Sequence, residues 1–171
     1  ASPGRTYVGV FASSLPSLPT TEKVVLASLL QAPPSFDDVP PEVLDPYWTS
    51  MVYFNSIREL GHAATLLNSD IPEYLQVMWR RFGFWKSWGD EQAAKRRFIN
   101  QEMELTSRVQ NDEITEYMER LFHRYPSIDG NKPVDVCLAT NMIQVGLDVS
   151  RLSLMAIIGQ PKSASEYIQA S

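Results

Sequence analysis

Hydrophobic positions along this chain recur at two spacings, and the spacing switches several times. Residues 6–12 (TYVGVFA) and 49–54 (TSMVYF) are short runs rich in β-branched and aromatic side chains, each followed by a helical pattern. Both read as βα units. The first helix is expected to open at Thr20 or Thr21, whose hydroxyl can cap exposed amides, with Glu22 in its first turn and Val24, Val25 and Leu29 on its buried face. The second opens on a capping box, Ser56 with Glu59 three residues on, and continues with Leu60, Ala63, Ala64 and Leu67 at helical spacing.

Between the two units, residues 32–47 are dense in proline and acidic side chains, which deny the backbone a regular ladder and predict an extended surface linker. A helical insertion is expected at about residues 71–102, where Leu75, Met78, Phe82 and Trp85 form an apolar stripe and Gly83 and Gly89 supply breaks. The alternation then resumes. Residues 105–108 (LTSR) give a very short strand, and 113–123 a helix with Ile114, Tyr117, Met118, Leu121 and Phe122 on one side. Residues 134–140 (VDVCLAT) and 152–158 (LSLMAII) are apolar enough for strands covered on both faces. Five strand candidates alternating with helices predict one α/β domain of three layers around a mainly parallel sheet.

Composition narrows the function classes. A chain of 171 residues, 44% hydrophobic, can bury one proper core. No apolar run approaches the roughly 20 residues of a membrane span, so no membrane partner is expected. The opening residues carry neither an initiator Met nor a signal peptide's apolar stretch, which reads as an internal fragment. A single cysteine, Cys137, sits in an apolar strand as a buried small hydrophobe and fits a reducing cytoplasm. His62 and His123 lack the spacing of a zinc site, so no metal ligands are assigned. With a formal net charge of -5, any nucleic-acid contact must be local.

In parallel sheets ligands bind beyond the carboxyl ends of the strands. The residues expected there are Ser13, Asn55 and Ser56, Ser107 and Arg108, Thr140 and Asn141, and Gln160 and Lys162. Small hydrogen-bonding side chains thus recur at one edge. They fit two readings, ordinary helix caps or contacts to a polyanion. Trp79, Trp85 and Trp88 among Arg80, Arg81, Lys86, Lys95, Arg96 and Arg97 also fit two: stacking on a single strand, or a helix with its aromatics inside and cations in solvent.

The last third carries a resemblance. LATNMIQVGLDVSRL is similar to motif V of superfamily 2 helicases, with Ala139 and Thr140 closing a strand and Gly146 and Asp148 following. SEYIQAS resembles the opening of motif VI, with Gln169 in its first place, and MVYFNSIRELG resembles motif IV. GQPKSASEYIQAS together with FNSIRELG resembles the helicase subunit of the DISARM anti-phage system. Asn141 stands where an acidic residue is common, and residues 71–102 have no counterpart in the minimal lobe.

The resemblance implies a second RecA-like lobe spanning residues 1–171. It implies Asn55, Ser56, Thr140, Asn141 and Lys162 toward a nucleic-acid backbone, DNA in the first instance, and Gly146, Asp148 and Gln169 toward the nucleotide. ATP and Mg2+ would be bound mainly by a first lobe of the same protein, and other defence-complex subunits would be partners. The chain has no phosphate loop of the Gly-x-x-x-x-Gly-Lys-[Ser/Thr] type and no paired acidic motif for magnesium, so it is not expected to hydrolyse ATP alone. The family's arginines belong to motif VI, which the sequence enters only at Gln169. Rival readings are a helicase-like scaffold that only docks partners and, disfavoured by the missing phosphate fingerprint, a free-standing flavodoxin-like enzyme.

Overall fold

The computed structural model describes residues 4, 6–81, 95–109, 111–128, 130–140 and 149–159. Within them, strands β1 (Ser50–Phe54), β2 (Glu102–Leu105), β3 (Val136–Thr140) and β4 (Met155–Ile158) form one sheet in the order β2-β3-β1-β4. Every pairing is parallel. The helices are α1 (Leu18–Ser35), α2 (Pro41–Trp48), α3 (Ile57–Asn68), α4 (Asp70–Arg81) and α5 (Asn111–Leu121).

Alternation along the strands divides the core in two. Val52, Phe54, Val136 and Leu138 pack with Leu26 and Leu30 of α1, Leu60 and Leu67 of α3, and Ile71 and Leu75 of α4. Met51, Tyr53, Cys137 and Ala139 pack on the other face with Met103, Leu105 and Leu121 at the end of α5. β1 and β3 are therefore buried on both faces, which is why they read as unbroken apolar runs. This is the α/β, mainly parallel three-layer arrangement expected. β2, at an edge, alternates exposed and buried instead.

Four local expectations are corrected. Residues 6–12 carry no regular secondary structure and lie outside the sheet, with Val8 81% and Phe11 93% exposed. Strand composition reports a fit to a pleated, half-buried surface, and no neighbouring strand provides one here among the described residues. The first helix opens earlier than Thr20, because Ser17 is its cap and Ser17 Oγ accepts from Thr20 N at 3.3 Å. Its most buried face is Leu26, Ala27 and Leu30, with Val24, Val25 and Leu29 half-buried.

Residues 32–47 are largely helical rather than extended. Pro33 and Pro34 close the last turn of α1, and Pro41 opens α2, where a missing amide costs no helical bond. The LTSR strand is displaced as well, since β2 ends at Leu105 and Thr106 to Arg108 turn away after it. The insertion begins as the helix expected, with Ile71, Leu75 and Met78 of α4 buried. Phe82, Gly83, Trp85 and Gly89 lie outside the described residues.

The amino edge of the sheet is closed by two buried ion pairs. Arg151, just ahead of β4, places Nη1 2.7 Å from Asp45 Oδ1 and donates from Nη2 to Thr49 Oγ1 at 3.0 Å and from Nε to the Leu121 carbonyl at 3.1 Å. Thr49 in turn donates to the Val134 carbonyl, and Asp45 Oδ1 accepts from Tyr125 N. Beside this network Arg97 Nη2 lies 2.8 Å from Asp135 Oδ1, while Asp135 Oδ2 accepts from Asn100 N and Gln101 N. The Arg97 guanidinium stacks on Trp48 at 3.7 Å, and Trp48 stacks on Tyr125 at 3.5 Å. Burial pulls the Arg97 guanidinium down to about 10 against the opposing pull of Asp135, so it stays charged near neutral pH. Arg97 thus matches neither sequence reading: it is 2% exposed and holds strands together.

Candidate nucleic-acid interface

Parallel register carries all four strand ends to the opposite side. Phe54 lies beside both Thr140 and Ile158, and Leu105 beside Ala139. The residues that end or follow the strands therefore share one edge: Asn55 and Ser56 after β1, Thr106, Ser107 and Arg108 after β2, Thr140 closing β3, and Gly159 after β4. Of the sequence-expected residues the fold brings Asn55, Ser56, Ser107, Arg108 and Thr140 to this edge, whereas Ser13 follows a segment that is not in the sheet. Asn141, Gly146, Asp148, Lys162 and Gln169 lie outside the described residues.

Ser56 caps α3. Its Oγ accepts from Glu59 N at 3.2 Å and donates to Glu59 Oε2 at 3.0 Å, so Ser56 and Glu59 pair as their sequence spacing suggests, through the Ser56 hydroxyl. Ile57 and Arg58 behind it are exposed, and the open amides of the first turn give this corner a positive local potential. Thr140 is 8% exposed and occupies the end of a central strand. Arg108 adds an exposed cation on the loop after β2, where its amide donates to Thr106 Oγ1.

Gly159 was not foreseen as part of this edge. Its φ is +80°, and a Cβ there would stand 2.9 Å from Asn55 Nδ2. Only glycine lets the chain leave β4 in this conformation and keep the Asn55 amide where it is. A glycine directly after an apolar run was the available signal. Thr106 was also missed, having been counted inside a strand.

The edge collects hydroxyls, a carboxamide and helix-terminal amides, with the guanidiniums of Arg58 and Arg108, the Glu59 carboxylate, and no nucleophile activated by a neighbouring base among the described residues. Cys137 is fully buried, and burial pushes its thiol up to about 12, which leaves it inert as a nucleophile. Such donors grip phosphates and sugars without reading bases. No described group of three or more His, Cys, Asp or Glu side chains could hold a metal ion, and no described helix is long and apolar enough to cross a membrane.

Residues 94–171 match the family model described as the helicase conserved C-terminal domain. Over 171 residues, 99% of its length, the chain is also 43% identical to the DISARM protein DrmA of Bacillus paralicheniformis. The chain spans 14% of the length of that relative. Residues 94–171 of the chain are thus similar to the helicase C-terminal domain family. The matched segment begins just ahead of Arg97 and includes β2, β3 and β4, whereas β1 and α3, which bring Asn55 and Ser56 to the edge, precede it.

Proposed function

We propose that this domain is the second motor lobe of an ATP-dependent helicase or translocase acting in DISARM anti-phage defence. It grips the backbone of a nucleic-acid strand, DNA in the first instance, along the carboxyl edge of its sheet. It closes over ATP and Mg2+ held mainly by a first lobe of the same protein, and other defence subunits are its partners. In this reading Asn55, Ser56, Thr140, Asn141 and Lys162 meet the strand, and Gly146, Asp148 and Gln169 face the nucleotide.

The observation that supports it best is the register between β1 and β3. Phe54 pairs with Thr140, so the motif IV residues Asn55 and Ser56 and the motif V residue Thr140 end adjacent strands although they are far apart in sequence. Phosphate contacts at that corner need donors in fixed positions, which a strand end and a helix N-terminus provide. The turnover itself depends on charge stabilisation across a cleft between lobes.

The test is Thr140→Ala in the full-length protein. Loss of one hydrogen bond, about 0.5–1.5 kcal/mol, is expected to weaken single-strand binding severalfold and to lower strand-stimulated ATPase, with folding kept. Titrations at one fixed salt concentration check this, because backbone affinity varies steeply with ionic strength. Unchanged binding and unchanged stimulation would favour the rival, a lobe that only docks partners.

A further inference from the structure

Glu22, in α1, is 5% exposed, and its Oε2 has no hydrogen-bond partner. It stands one helical turn before Leu26, which packs in the core with Leu60 and Ala63 of α3. α1 meets α3 as well as α4 within this core, and the Glu22 carboxyl is within electrostatic reach of His62 and Glu59 on α3. Glu59 is the side chain bonded to the Ser56 cap. On the α4 side the adjacent cation, Lys23, lies over the Tyr74 ring at 5.6 Å. Burial raises the proton affinity of Glu22 above the ordinary 4.5, His62 opposes that and Glu59 reinforces it.

We propose that Glu22 is a proton-linked positioning residue for the nucleic-acid edge, accepting a proton when a phosphate docks at the N-terminus of α3. The inference rests on the reading of that edge as a phosphate contact. Two carboxylates and an incoming phosphate would crowd one corner. The least solvated of them relieves the repulsion most readily by becoming neutral. As the neutral acid, Glu22 lets α1 seat against α3 and holds the first turn where Asn55 and Ser56 can reach the strand. As the anion, it loosens that contact.

The sign follows from linkage. A carboxyl whose proton affinity is raised in the folded state favours the seated arrangement at low pH, and that advantage is lost as pH rises from 4.5 through the raised folded value. By reciprocity, strand binding raises proton affinity and protons favour strand binding.

Two measurements on the full-length protein test this. The first is amide exchange of α1 and α3 from about pH 5 to about pH 8, corrected for intrinsic rates, in wild type and Glu22→Gln without nucleic acid. Protection in the wild type should fall as pH rises and stay level in the variant; identical profiles would overturn the proposal whatever the domain binds. The second is single-strand affinity over the same range at constant salt. The wild type should weaken by up to about tenfold per pH unit within the transition, the limit for one linked proton, and Glu22→Gln should flatten that slope while keeping the low-pH affinity. A slope unchanged in Glu22→Gln would also overturn it. Absence of strand binding at every pH, with exchange behaving as expected, would remove the phosphate reading and with it the linkage.

Discussion

The two edges of one sheet are built on opposite principles. At the amino edge, Asp45, Arg151, Thr49, Arg97 and Asp135 are each less than 10% exposed and bonded to one another or to strand-flanking carbonyls and amides. At the carboxyl edge Asn55, Ser56, Ser107 and Thr140 are short and uncharged, Arg58, Glu59 and Arg108 carry the charge, and Gly159 keeps the space beside Asn55 clear. Charge is locked where the domain needs to be rigid. Hydroxyls and amides gather at the side that, in the proposed function, meets a strand. Buried ion pairs are costly to assemble but still costlier to break singly, so the amino edge resists alternative registers.

If that contrast is right, breaking the amino edge should damage stability and leave the intrinsic chemistry of the other edge alone. Asp45→Ala would strand the Arg151 guanidinium in the interior, and a loss of about 3–5 kcal/mol is expected in denaturant unfolding. Replacing both partners, with Asp45→Leu and Arg151→Met, should recover most of it. A single-variant loss below about 1 kcal/mol would mean that solvent reaches the pair and that the two edges are less different than described.

Gly159→Ala tests the carboxyl edge. Its positive φ costs an alanine about 1–2 kcal/mol, and the added methyl displaces the Asn55 amide, so strand affinity should fall beyond what the stability change explains. Wild-type affinity with the expected destabilisation would show that Asn55 does not contribute to binding. The smallest effect is expected from Ser56→Ala, which removes a cap worth about 1 kcal/mol. Ser56→Asn should restore the stability, and whether it also restores strand affinity separates the cap from a direct contact.

Much of this contrast was legible in the sequence on one side only. The Ser56 cap with its Glu59 partner, the doubly buried β1 and β3 and the polar strand ends follow from periodicity and local residue preferences, which neighbours in sequence set. The amino edge was invisible because Asp45 and Arg151 are 106 residues apart, and nothing local marks either as buried. Arg97 was read with its neighbours Lys95 and Arg96 as part of a basic run, and only the fold separates it from them. Prolines misled as well: those between residues 32 and 47 looked like helix breakers, yet Pro41 stands where a helix tolerates one. The TYVGVFA segment shows the converse, a strand composition without a sheet to join. For the site, Asn55, Ser56 and Thr140 were foreseen and placed side by side, while the positive φ that makes Gly159 matter is a property of the folded backbone alone.

The strand order also governs how this domain is made. β1 is central, but both of its neighbours are among the last elements in the chain, and Ser50 finds its partner only at Val136. On a ribosome adding about 5–20 residues per second, the intervening roughly 90 residues delay that pairing by about 5–20 s. During that interval SMVYF has an unpaired backbone and no second face to bury. The helices α3 and α4 follow immediately and pack on each other and on α1, so they can shelter one side of β1 while it waits. The nascent domain therefore emerges as a helical cluster holding a lone apolar strand, a natural client for a chaperone, and the sheet closes only when its final strand leaves the exit tunnel.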